Sequence, residues 1–117
     1  MDITEILSHC QLKKGVVETF PFTPETLVLK VAGKMFALIP LEKQPLMISL
    51  KTDPEWSSEL REQYPQITGA YHMNKTHWNS VVCDGLKKDL ILRLIDHSYD
   101  LVVKSLVKKN REKLLNS

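Results

Sequence analysis

At 117 residues, with 43% hydrophobic and 26% charged residues, the chain has the length and composition of one globular domain, 1–117, and is not disordered as a whole. No window approaches the roughly 18 apolar residues of a membrane span, and MDITEILSHC lacks the basic-then-apolar order of a secretory leader. The formal net charge of +2 conceals a polarity: residues 1–68 hold seven Lys/Arg against nine Asp/Glu, and residues 69–117 hold nine against five.

In chain order, the first element reads as a helix. Ile3, Ile6, Leu7 and Cys10 recur at helical spacing, Asp2 and Glu5 form a D-x-x-E capping pattern, and Lys13-Lys14-Gly15 supplies a cationic last turn and a glycine stop. VVETFPFTPET, broken by Pro21 and Pro24, reads as a short edge strand running into a turn. LVLKV and MFALIP flank Ala32-Gly33-Lys34 as a hairpin, and LMISLK alternates as a half-buried strand. Asp53, Pro54 and Glu55 start a short helix that stops before Tyr64-Pro65, because a residue preceding proline leaves the α region. AYHM and HWNSVVC read as two short strands joined at Asn74-Lys75-Thr76.

The last strong element is a helix from about Lys87 to Leu106, whose apolar arc is wide enough to require a sheet beneath it. The basic tail 107–117 is expected to fray. Together these elements predict an α+β two-layer sandwich: an antiparallel β-sheet with N- and C-terminal helices and one short inserted helix.

Function centres on GAYHMNKTHWNS, residues 69–80. A chemical reading would use His72 and His77, with Ser80, Cys83 and Asp84 near in sequence. It lacks a third metal ligand, a recognised catalytic motif or a glycine-rich phosphate loop, so no catalytic residue, metal or cofactor is assigned. Cys10 and Cys83 have no metal-type spacing and suit buried thiols in a reducing compartment, hence a cytoplasmic protein.

A polyanion reading places Lys75 at a hairpin tip with Asn74 and Thr76 as donors, Lys34 at the earlier hairpin, and Lys87 and Lys88 at the start of the last helix. A third reading makes the aromatic residues core or a partner surface. A pocket lined by Tyr71, His72, His77, Trp78, Asn79, His97 and Tyr99 would instead bind a small molecule or protein partner.

YPQITGAYHMNKTHWNSV with the later LIDHSYDLVVKSL, and GKMFAL, LK-x-DPE and LREQYP in order, resembles the MmcQ/YjbR-like family. The family signature falls on residues Tyr71 to Lys75, His77 to Asn79, and Asp96 to Tyr99. The resemblance implies a CyaY-like, double-wing α+β sandwich and a possible DNA-binding role argued from the wings. It carries no catalytic role. Iron binding, which a frataxin-like fold would raise, is disfavoured because the first helix lacks an acidic ridge. The expectation is a monomeric, DNA-binding module without membrane contact, with the His/Trp-lined pocket as the alternative.

Overall fold

The computed structural model describes residues 1–70 and 73–117. Asp2 caps the first helix, α1 (Ile3–Gln11), as its spacing predicts: its carboxylate accepts from Glu5 N–H, and the Glu5 carboxylate accepts from Asp2 N–H. The chain then forms β1 (Val16–Thr19), β2 (Thr26–Val31), β3 (Lys34–Pro40) and β4 (Met47–Lys51). Ala32 and Gly33 join β2 to β3 with φ of 50° and 80°. Positive φ at both central residues is the geometry that matches hairpin twist.

Helix α2 (Pro54–Gln63) opens on Asp53, whose carboxylate accepts from the N–H groups of Glu55 and Trp56, with Pro54 in the first turn. Strands β5 (Ile67–Gly69) and β6 (Trp78–Val82) follow, then α3 (Lys88–Ser105) and α4 (Lys108–Leu115). All strand pairings are antiparallel, in the order β1-β2-β3-β4-β6-β5. Every described helix packs on one face of this sheet. Ile6 and Cys10 of α1, Leu60 of α2, Ile91, Leu94, Ile95 and Val102 of α3, and Leu114 of α4 share one buried cluster with alternate strand residues. The α+β two-layer expectation therefore holds.

Two local expectations need correction. The strand nearest AYHM is shifted upstream, to Ile67–Gly69; Ala70 and Met73 lie outside it, while Tyr71 and His72 fall outside the described residues. The tail does not fray: it turns into α4, because Leu114 finds a seat over Gly15, where a Cβ would stand 2.6 Å from its Cδ1. Lys14 Nζ also donates to the Leu115 carbonyl.

The β2–β3 hairpin forms as its spacing predicts, and β3 carries an irregularity within it. Register against β2 shifts between Leu29 and Lys30, so Phe36 is an extra residue. A bulge of this kind turns two successive side chains to one face. Phe36 and Ala37 are accordingly both buried under the helices.

Candidate functional site

The signature Asp96-His97-Ser98-Tyr99 sits mid-way along α3, where successive residues advance around the helix by about 100°. Four neighbours therefore reach four directions, and each ties α3 to a different part of the chain. Asp96 Oδ1 lies 2.6 Å from His9 Nε2 and 2.7 Å from Lys13 Nζ, joining α3 to α1. Burial alone would raise the Asp96 carboxyl, but the hydrogen bonds from Lys13 and His9 outweigh it and hold it below its ordinary value.

His97 Nε2 accepts from Asp53 N–H at 3.0 Å, and its ring meets Trp56 edge-on. Accepting requires an unprotonated Nε2. Burial pushes the imidazole below its ordinary value, which favours the same form. Ser98, fully buried, donates to the Phe36 carbonyl at 2.6 Å and accepts from Lys51 N–H at 2.9 Å. Beyond the Ala37–Leu50 pair, where the bulge interrupts the β3–β4 ladder, this hydroxyl bridges the strands. Tyr99 donates to the Lys14 carbonyl and stands edge-on to Phe36, with Lys13 Nζ 5.1 Å from its ring centroid.

The second signature is organised from α2. Asn79 faces the helices because it pairs with Leu50. It is buried, accepting from Arg61 Nε at 2.6 Å and donating to Ser57 Oγ at 2.9 Å. Arg61 also donates to the carbonyls of Lys75 and Trp78, and thus clamps the β5–β6 connection to α2. Within that connection Asn74 Oδ1 accepts from Thr76 N–H, an Asx turn, and the Asn74 carbonyl accepts from His77 N–H and Trp78 N–H. Asn74 and Asn79 are thus occupied in building the turn.

Of the residues assigned to one pocket, Tyr71 and His72 lie outside the described residues, and among the others His97 and Trp78 stand on opposite sides of the sheet. His97 lies in the helix layer, whereas Trp78 pairs with Lys51 on the opposite face of the sheet. His77 lies in the turn, where its carbonyl accepts from Thr52 N–H at 2.6 Å. Around His97 there is instead a shallow cleft of about 280 Å³ with Trp56, Arg93, Asp96 and Asp100. Among the described residues no trio of His, Cys, Asp or Glu is placed to hold a metal ion. No described helix is long and apolar enough to cross a membrane.

The predicted cations divide into two groups. Lys34 begins β3 beside the β2–β3 turn; β4 runs antiparallel to β3 and β6 antiparallel to β4, so the connection bearing Lys75 lies at the same end of the sheet. Lys87 and Lys88 begin α3 beyond the other end of β6, and Lys88 Nζ is 2.6 Å from Glu5 Oε2. Sequence reasoning omitted two further cations. By register, Lys30, paired with Met35 and Val17, and Lys51, paired with Trp78, face away from the helices.

That second face also carries Thr19, Ser49, Ser80 and Thr68, together with Val28, Leu38, Met47 and Val82. Glu18, the one acidic residue in the six strands, pairs with Leu29 and so faces the helices, where Gln11 donates to it. The face therefore bears lysines and hydroxyls without a strand carboxylate. Which strand charges share a face could be read only once register was known: Lys34, paired with Val31, lies on the helix side with Glu18, and Lys30 and Lys51 on the other.

With this geometry in view, comparison with known proteins is informative. The YjbR family model matches residues 12–101. The uncharacterised protein YjbR of Escherichia coli K12 is 33% identical over 116 residues, 98% of each chain. The uncharacterised protein YbdF of Escherichia coli O157:H7 is 40% identical over 96 residues, 81% of this chain and 79% of its own. Among solved structures, Deinococcus radiodurans protein DR2400, a DUF419 domain, superposes with a TM-score of 0.91 at 41% identity, covering 96% of this chain and 86% of its own. A Pseudomonas syringae protein gives a TM-score of 0.72 at 31% identity, covering 86% and 98%. With the family model matching residues 12–101 and a relative 33% identical over 98% of the chain, this chain belongs to the YjbR family.

Proposed function

We propose that this protein binds nucleic acid, DNA foremost, through the sheet face turned away from the helices and the strand ends beside it. The observation that carries this reading is the charge segregation of the sheet. The one strand carboxylate, Glu18, is turned to the helices, while the half-buried Lys30 and Lys51 stand on the other face with the exposed Thr68 and the half-buried Ser80. Phosphates are held by cations and neutral donors, and a carboxylate in the same surface would repel them.

Lys34 and Lys75 mark the end of the sheet to which Lys30 and Lys51 lie nearest, but Lys34 pairs with the core-facing Val31 and Lys75 stands over Gly69 beside Arg61, so both border the contact from the helix side. The wings thus act as a margin of the surface rather than as separate probes. Lys87 and Lys88, at the other end, take no part. Asn74 is committed to its turn, leaving the Thr76 hydroxyl as a group of that loop that would meet phosphate.

Three or four phosphate contacts give modest affinity that falls about twenty- to a hundredfold between roughly 50 and 200 mM salt. Titration of labelled single-stranded and duplex oligonucleotides at those two salts tests this directly. Lys30→Glu with Lys51→Glu is expected to weaken binding by at least about tenfold, since two contacts are reversed in sign, while Lys87→Glu leaves it unchanged. Absence of binding at the lower salt, or equal binding by the double variant, refutes the reading.

A further inference from the structure

Residues 104–113 hold five lysines and arginines against one carboxylate, Glu112, while the remaining residues hold eleven against thirteen. The net positive charge of the chain therefore resides entirely in this short segment, and the rest is slightly acidic. Lys104, Lys108, Lys109 and Lys113 are exposed and Arg111 is half-buried. Among the described residues none of the five enters an ion pair. Four of them belong to α4.

The charges of α4 oppose its own stability. A helix start favours acidic groups and a side-chain cap. Instead α4 opens with Lys108 and Lys109, has no acid in its first turn and no capping side chain. Lys109 and Lys113 stand four apart, so like charges meet on adjacent turns, which destabilises a helix. Arg111 Nη1 donates to the Lys104 carbonyl at 3.4 Å, drawing a further cation in towards the end of α3. A negative partner would relieve each of these repulsions.

These cations border a groove. A space of about 480 Å³ separates α4 from the β2–β3 turn, with Asn110 and Lys113 on one side and Ala32 and Gly33 on the other. Lys109 continues the Lys113 edge one turn back along the helix. Lys34 stands just beyond the turn, exposed, on the same side of the sheet as α4. It is paired with Val31, and a Cβ on Gly15 would lie 3.8 Å from Val31 Cγ2 and 2.6 Å from Leu114 Cδ1. Opposite residues of an antiparallel pair share a face, so α4 sits beside the Val31–Lys34 pair.

We propose that α4 and the β2–β3 turn form a second contact for nucleic acid, in which a phosphate backbone follows the Lys109–Lys113 edge and passes on to Lys34. This contact, which rests on the nucleic-acid reading above, lies on the helix side and meets the sheet surface at the end marked by Lys34. Its cations add to those of the sheet, so the salt dependence of the whole chain is steeper than the sheet alone would give. Charge complementarity selects the partner. Lysines spaced along one helix edge match a chain of regularly repeated negative charge. A bilayer is a poorer match: with Leu114 buried, the opposite side of α4 presents Lys108, Lys109 and Glu112 and no apolar residue to enter it.

Lys109→Gln with Lys113→Gln tests this without threatening the fold, since both positions are exposed and the change removes a like-charge pair. Lys43→Gln with Lys87→Gln is the control: it removes the same charge from exposed positions at the other end of the sheet. Duplex affinity at roughly 50 mM salt is expected to fall at least about tenfold in the α4 variant, and the slope of log affinity against log salt to lessen by about two. The control should stay within about twofold of the unmodified chain. Equal losses in the two variants, or an α4 variant that binds like the unmodified chain, overturn the proposal and leave the sheet reading standing. An unmodified chain that binds no oligonucleotide at that salt removes both. Competition by poly-glutamate or by phosphatidylglycerol vesicles, as strong as that by unlabelled oligonucleotide of equal charge, overturns the choice of partner.

Discussion

A hydroxyl mid-way along a helix is usually spent on the helix's own carbonyls or on water. Ser98 is spent on the sheet: it serves one donor and one acceptor that the Phe36 bulge leaves without strand partners. Replacing it by alanine leaves Lys51 N–H and Phe36 C=O unpaired, the former half-buried and the latter under the core, at a cost of about 2–3 kcal/mol. Urea unfolding of Ser98→Ala checks this; a change below about 0.5 kcal/mol, the range of ordinary surface substitutions, means the bridge contributes nothing. The serine was visible in the sequence as one position of an apolar stripe, which says only that it faces inward. Its partners could not be read, because they lie 47 and 62 residues away. The same holds for Asp96 with His9 and for Tyr99 with Lys14, at separations of 87 and 85. The motif marked an important place; the contacts that explain it belong to the tertiary fold.

Elements with their own local signals were legible. The Asp2–Glu5 box, the Asp53-Pro54 start and the Ala32-Gly33 turn are decided within a few residues, and each is where the spacing puts it. What eluded reading were elements that exist only through their partners. Strand β5 has three residues and takes its register wholly from β6. Helix α4 has eight residues, too short to persist alone in water, and no side-chain cap. Its stability comes from docking: Leu114 enters the core cluster, and a glycine with φ of 72° makes room for it. Leu114→Ala should therefore cost about 2 kcal/mol, the lower end for truncating a buried leucine, and also lower the helical circular dichroism of the folded chain as α4 detaches. Loss of stability without loss of helix would show that α4 holds by other contacts.

Across the whole molecule, the ties between α3 and its surroundings give stability a sign with respect to acid. His97 titrates below its ordinary 6.5 when folded. As pH falls through that range the unfolded chain takes up the proton first, so stability is full above about 6.5 and is lost towards lower pH as the folded imidazole is protonated. Asp96, held below its ordinary 3.8, adds a loss of the same sign at lower pH still. The urea midpoint is expected to be lower at about pH 5 than at about pH 7.5, and His97→Gln to flatten that difference. Midpoints that match at both pH values in the unmodified chain would remove His97 as an acid-sensitive tie.

Arg61 reaches across to the β5–β6 connection and grips it by the carbonyls of Lys75 and Trp78. Every amino acid brings a carbonyl, so the grip is indifferent to which side chain stands at position 75. The loop's course is dictated from the neighbouring helix, through groups that a substitution at position 75 leaves in place.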